Sequence, residues 1–191
     1  MELRERILEA ATAEFNEKGI KFTLADISKS IGISKKTIYT IFSGKEELLY
    51  AMIDSGFASI KKAESDILAD TGLTTLQKIR QIIIVQPEPF HTIDFKQFAS
   101  INEKYPKLYK EIRRRIESEW DPTIQLLELG MKEGCIKKVC LPVLKVMIEA
   151  SIEHFLDSKV IQSDEIGYEF ALQQMMDILM AGIQTTEEEV A

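Results

Sequence analysis

Residues 23–42 read TLADISKSIGISKKTIYTIF, and Gly32 in the middle of that run constrains the fold more than any other residue. Ile27 and Ile31 lie about one helical turn apart before it, and Ile38, Ile41 and Phe42 recur at helical spacing after it. Glycine takes the left-handed conformation of a tight turn without steric cost. Ile33 is apolar enough to pin such a turn to a core, and Ser34 can cap the helix that follows. The run predicts two short helices meeting at a glycine corner, the second opening with Ser34, Lys35, Lys36 and Thr37.

The flanks extend that pattern. Leu3, Ile7, Leu8, Ala11 and Phe15 predict a first helix over about residues 2–18, stopped by Gly19. Thr23 is a candidate N-cap, with Asp26 three positions on, where an acid helps the free N–H groups and the helix dipole. In helix three Ile38, Ile41 and Phe42 point inward. Lys35, Lys36, Thr37 and Thr40 lie on the other side, with Tyr39 at the edge. Ser43 and Gly44 end it, and a longer helix starts at Lys45–Glu47 with Leu48, Leu49, Met52, Ile53 and Phe57 as its stripe. Helical patterning continues beyond residue 60, with breaks at 71–73, 86–92, near Pro106 and at 134–142. Trp120-Asp121-Pro122 reads as a kink or brief interruption in preference to a stop with a fresh Asp cap. No segment alternates as a strand and no repeat recurs, so the expected class is all-α.

At 191 residues the chain suits one full core, or a small domain joined to a larger one. Its longest obvious apolar run, Ile82–Val85, falls far short of the roughly 18 residues of a membrane span. The charged opening (Glu2, Arg4, Glu5, Arg6) lacks the apolar segment of a signal peptide, so a cytoplasmic protein without membrane contact is expected. Cys135 and Cys140 are too few for a disulfide framework and have no histidine neighbours at ligand spacing, so no metal and no cofactor are expected. Net charge is −7, yet residues 21–45 hold Lys21, Lys29, Lys35, Lys36 and Lys45 against Asp26 alone, a local +4 against −11 elsewhere. An acidic body with a basic tip approaches a polyanion in one orientation. A lysine-bearing helix after a glycine corner is also how a chain presents a helix to the DNA major groove. A merely solvated lysine face is the alternative.

Two late helices carry surplus apolar surface. Over 164–184, Leu172, Met176, Leu179 and Ile183 form one stripe, and Tyr168, Ala171, Met175, Ile178 and Gly182 another. Over about 142–157, Val143, Met147 and Ala150 lie beside Leu144, Ile148, Ile152 and Phe155. A terminal helix of a monomer needs one stripe, so a homodimer through a four-helix interface is expected, with a last helix sunk in a large core as the alternative.

The stretch ILEAATAEFNEKGIKFTLADISKSIGISKKTIYTIFSGKEELL resembles the TetR-type (TetR/AcrR-like) bacterial transcriptional regulators. Gly19, Thr23, Asp26, Ile27, Gly32, Ile33, Ser34, Lys35, Thr37, Tyr39, Phe42, Lys45, Glu46, Glu47 and Leu48 fit that family's pattern. Ser28 and Ile31 depart from its usual alanines, and Ala25 lacks the polar side chain often found there. The resemblance implies a three-helix helix-turn-helix DNA-binding domain over 1–46 and a helical effector-binding and dimerisation domain over 47–191. It implies a double-stranded DNA operator and a small-molecule effector as partners, and repression as the mode of control. Lys35, Lys36, Thr37 and Thr40 would lie in or beside the major groove, with Ser34 at its margin as a cap. Thr23, Tyr39 and Lys45 would hold phosphates. Physics agrees with that division, since hydroxyls and helix-start N–H groups suit phosphate oxygens and lysine can donate to guanine O6 and N7. Tyr39 as packing, Thr23 as a cap only and Lys45 as a plain surface charge are the duller readings. By the same resemblance an effector lies in the helical body, where Phe57, Phe90, His91, Phe95, Phe98, Tyr105, Trp120, Ile124, Met147 and His154 are candidate lining residues, with Pro87–His91 as an entrance.

Catalysis has no footing in the chain. His91 and His154 belong to no motif, and Glu149 and Glu153 miss the Glu-x-x-His spacing of a helical di-iron site. There is no Gly-rich phosphate loop and no Gly-x-Ser-x-Gly. A helix-turn-helix that grips a protein is the competing function. Arg113–Arg115, flanked by Glu111, Glu117 and Glu119, reads as a salt-bridged solvated face.

Overall fold

The computed structural model describes residues 2–86, 98–158, 160–161 and 166–185. Its helices are α1 (Leu3–Lys18), α2 (Leu24–Ser30), α3 (Lys35–Tyr39), α4 (Lys45–Ala69), α5 (Thr75–Ile83), α6 (Phe98–Lys104), α7 (Pro106–Glu117), α8 (Asp121–Glu133), α9 (Leu141–Asp157) and α10 (Tyr168–Ile183), with a 3-10 turn at Gly19–Lys21. Among the described residues the one β-type pairing is an isolated bridge between Ile136 and Gln184. The chain divides into two compact units, residues 1–60 with 87–112 and residues 61–86 with 113–191.

In the first unit α1 buries Ile7, Leu8, Ala11 and Phe15, the stripe its periodicity predicts. Gly19 closes α1 at φ 58°, its N–H donating to the Phe15 carbonyl. Leu24 and Ile27 are buried on α2, which packs between α1 and α3. Ile38 and Phe42 are 0 % and 2 % exposed. The Arg4 guanidinium stands 5.6 Å from the centre of the Phe42 ring, tying the start of α1 to the segment that follows α3. Helix α3 ends at Tyr39, sooner than the spacing of Ile41 and Phe42 suggests. The Ile41 N–H bonds three residues back to Ile38, tightening the last turn before Ser43 and Gly44. Glu47 accepts from the Ser43 N–H at 2.7 Å and hydroxyl at 2.6 Å, which fixes the joint into α4 and holds that carboxyl below its ordinary value.

In the second unit Ile79, Ile82 and Ile83 of α5 meet Leu126 and Leu127 of α8, Leu144 and Ile148 of α9, and Met176, Met180 and Ile183 of α10. Gly130 lets α5 and α8 close, because a Cβ there would stand 2.8 Å from Ile79 Cδ1 and 3.2 Å from Ile136 Cγ1. Breaks fall at residues 70–74, at Tyr105 and at 134–140, as the sequence suggests, while 87–92 lies outside the described residues. At Trp120-Asp121-Pro122 the chain makes a stop and a restart. Helix α7 ends at Glu117, Glu119 takes φ 64°, and Pro122 sits in the first turn of α8, where its missing N–H costs no hydrogen bond. Trp120, not Asp121, occupies the N-cap. Cys135 is half-buried and Cys140 exposed, both as free thiols. Among the described residues no helix is long and apolar enough to cross a membrane.

Candidate nucleic-acid interface

Gly32 adopts φ 68° at the corner between α2 and α3. The turn is latched by Ser28, whose hydroxyl donates to the Ile33 carbonyl at 2.5 Å while the Ile33 N–H donates back to the Ser28 carbonyl at 3.0 Å. A serine where the family usually has alanine thus adds a bond across the corner. Ser34 caps α3 by accepting the Thr37 N–H at 3.0 Å, and its hydroxyl lies 2.8 Å from that of Thr37. Thr40 donates its hydroxyl to the Thr37 carbonyl at 2.7 Å. Lys35, Lys36, Thr40 and Tyr39 are exposed, Tyr39 by 55 %, and Thr37 is half-buried. Helix α3 therefore offers one cationic, hydroxyl-bearing face while Ile38 holds the other to the core.

The start of α2 is organised by Thr23 and Asp26. Thr23 accepts the Asp26 N–H at 3.2 Å, and Asp26 accepts the Thr23 N–H at 2.7 Å and hydroxyl at 2.6 Å. Lys18 reaches Asp26 at 2.9 Å and Glu14 at 2.6 Å. The Thr23 hydroxyl, then the Lys18 ammonium, hold the Asp26 carboxyl well below the usual carboxylate range. A carboxyl lowered in the folded state stabilises above its unfolded value and loses that contribution as pH falls toward its folded one. Asp26→Asn should therefore melt below the native protein at pH 7, with the gap narrowing as pH drops below about 4. Thermal unfolding of both proteins across that range checks it.

Lys45 stands elsewhere than a plain surface charge would. Its ammonium donates to the Ile20 carbonyl at 2.6 Å and to the Phe22 carbonyl, and sits 4.1 Å from the centre of the Phe22 ring. Burial first, then the like charge of Lys104, push its pKa down. Two of its three N–H donors thus bind the segment leading into α2. Thr23, Lys35, Tyr39 and Lys45 line one open cleft of about 660 Å³, together with Lys21, Lys104 and Tyr105. Sequence reasoning did not place Lys104 beside the reading head, and it assigned Tyr105 to an effector pocket. No local signal marks either, because both lie about 60 residues downstream.

The remaining candidates do not line that cleft. Phe57 is half-buried on α4. Trp120 and Ile124 pack against the second unit's core, the indole N–H donating to the Ile116 carbonyl at 2.8 Å and the Lys145 ammonium lying 5.8 Å from the ring centre. Met147 and His154 are exposed on α9, and Phe98 opens α6. Phe90, His91, Phe95 and the Pro87–His91 segment lie outside the described residues. Of the proposed contact face, Val143, Met147, Ala150, Ile178 and Gly182 are exposed, Ile178 by 74 %. Tyr168 and Met175 are half-buried, and Ala171 is buried in its own unit. Val146, exposed and three residues from Val143, belongs to the same face. The i, i+3, i+4 spacing of Val143, Val146 and Met147 would have found it. Arg113 pairs with Glu153 of α9, a more distant partner than the flanking acids predict. Among the described residues no cluster of His, Cys, Asp and Glu could hold a metal ion.

Residues 7–52 match the family model of the bacterial regulatory proteins, tetR family. The chain is 24% identical to the uncharacterized HTH-type transcriptional regulator YvaF of Bacillus subtilis over 96% of its own length and 97% of that protein's. A solved TetR/AcrR-family regulator from Thermobifida fusca superposes with a TM-score of 0.68 at 22% identity, covering 94% of this chain and 97% of that one. SmeT, the repressor of a Stenotrophomonas maltophilia multidrug efflux pump, superposes with a TM-score of 0.64 at 18% identity, covering 98% and 93%. The family's pattern lies on the helices that build the capped, lysine-faced corner, and the all-helical fold matches along nearly the whole chain. Residues 7–52 therefore carry the helix-turn-helix segment of the bacterial regulatory proteins, tetR family, and the chain along nearly its whole length is similar to HTH-type transcriptional regulators.

Proposed function

We propose that the protein is a cytoplasmic repressor that binds a palindromic operator as a homodimer and leaves it when a small molecule binds the helical body. The observation that carries the DNA reading is the two-sidedness of α3, with Ile38 fully buried and Lys35, Lys36 and Thr40 exposed on a capped helix. In this reading residues 1–46 form the DNA-binding domain and 47–191 the effector and dimerisation domain. Lys35, Lys36, Thr37 and Thr40 meet base edges. Thr23 and Tyr39 meet phosphates, and Lys45 contributes the one donor left by its two carbonyl bonds. Thr37 acts through its methyl as much as its hydroxyl, since that oxygen already faces Ser34. Exposed Val143, Val146, Met147 and Ile178 support a twofold contact. A dimer laid across promoter DNA represses without further parts, and the fold match to SmeT, itself a repressor, agrees with that sign of control.

Lys36→Ala is expected to weaken operator binding by roughly 1–3 kcal/mol, with a smaller loss on random duplex, as befits a base contact. Titrations on both duplexes at several salt concentrations test it. An equal loss on both, with a shallower salt slope, reassigns Lys36 to phosphate. No loss on either removes α3 from the DNA.

A further inference from the structure

The cleft beside α3 is lined by four lysines. Lys21, Lys35, Lys45 and Lys104 line it with the hydroxyl-bearing Thr23, Tyr39 and Tyr105, and no acid is among its lining residues. Two of these groups come from far along the chain, Lys104 as the last residue of α6 and Tyr105 as the link into α7. They are placed by packing, since α6 rests on the 3-10 turn Gly19–Lys21 that precedes Thr23, and both belong to the same compact unit as α1–α3. Lys45 and Lys104 act on each other as like charges across this cleft, a repulsion that an entering anion would relieve. A linear polyanion suits an open cleft, and the lining includes Thr23, Lys35 and Tyr39, the residues assigned above to the duplex.

We propose that the cleft seats a phosphodiester segment of the operator backbone and that Lys104, assisted by the Tyr105 hydroxyl, is a DNA contact supplied from outside the helix-turn-helix. The inference rests on the DNA-binding reading and extends its footprint beyond residues 1–46. It also makes backbone affinity depend on where α6 sits, so any shift of α6 away from the Gly19–Lys21 turn removes a phosphate contact.

The test uses the full chain with operator and random duplexes over a series of salt concentrations, comparing native protein, Lys104→Ala, Lys104→Arg and Lys107→Ala. Lys107 is exposed on neighbouring α7 and does not line the cleft, so it controls for net charge. A backbone contact predicts that Lys104→Ala weakens both duplexes by the same factor, roughly fivefold to tenfold near 0.1 M salt, and shallows the salt slope by about 0.9. Lys104→Arg restores the slope, and Lys107→Ala leaves it unchanged. Unaltered binding by Lys104→Ala overturns the inference while the DNA reading stands, and so does a loss confined to operator, which would mark a base contact. If Lys107→Ala matches Lys104→Ala, the effect is diffuse charge and the cleft has no special part. Native protein that binds no duplex removes the function reading and the cleft together. Circular dichroism of each variant confirms that the fold is intact.

Discussion

Ile178→Glu is expected to leave the protein monomeric and to weaken operator binding by at least about a hundredfold. Ile178 is 74 % exposed in the single chain, so the substitution disturbs no packing there. In a twofold contact the same position appears twice, and each copy would bury a carboxylate among Val143, Val146 and Met147 of the facing apolar surfaces. Burying an unpaired charge costs several kcal/mol per ion, and each 1.4 kcal/mol is a factor of ten in association. A monomer then presents a single α3 to a site built for two. Sedimentation together with duplex titration reads both effects. A variant that remains dimeric moves the interface elsewhere, and a native protein that is already monomeric removes the dimer altogether.

Ile38→Ala should be the most damaging single truncation within α3, costing about 2–5 kcal/mol. Ile38 is the only buried residue within α3, and a helix of five residues has no stability of its own away from that anchor. The cavity would lie at the core end of the helix whose outer face carries Lys35 and Lys36, so the loss reaches DNA binding through position as well as stability. Ile38→Val, which removes one methylene, should cost about 0.5–1.5 kcal/mol. Chemical denaturation of the series checks the gradient, and a flat series would mean that α3 is held by its caps alone.

The features legible in the sequence are those whose causes are local. Thr23 with Asp26 and Ser34 with Thr37 are partners three residues apart, so cap and carboxylate could be read directly from spacing. Gly32 announced its positive φ because a corner was needed there. The stripe of α1, and that of Leu172, Met176 and Ile183 on α10, likewise follow helical periodicity into the cores they form. Lys45 was harder, because the carbonyls it binds lie 25 and 23 residues back, and a lysine at a helix start reads equally well as a phosphate ligand. Lys104 and Tyr105 were invisible as neighbours of Thr23, since only the packing of α6 on the Gly19–Lys21 turn brings them there. The restart at Trp120 depended on Glu119 accepting a left-handed conformation, which no residue preference announces. Ala171 shared a helical face with Ile178 on paper, yet the chain's own core covers it.

Selection of bound sequences from random duplexes, followed by the mass of the complex on the winning site, tests the central claim most directly. Two chains on one inverted repeat, each half dependent on Lys35 and Lys36, is the predicted result. Enrichment of no sequence, or of an asymmetric site held by one chain, would contradict it.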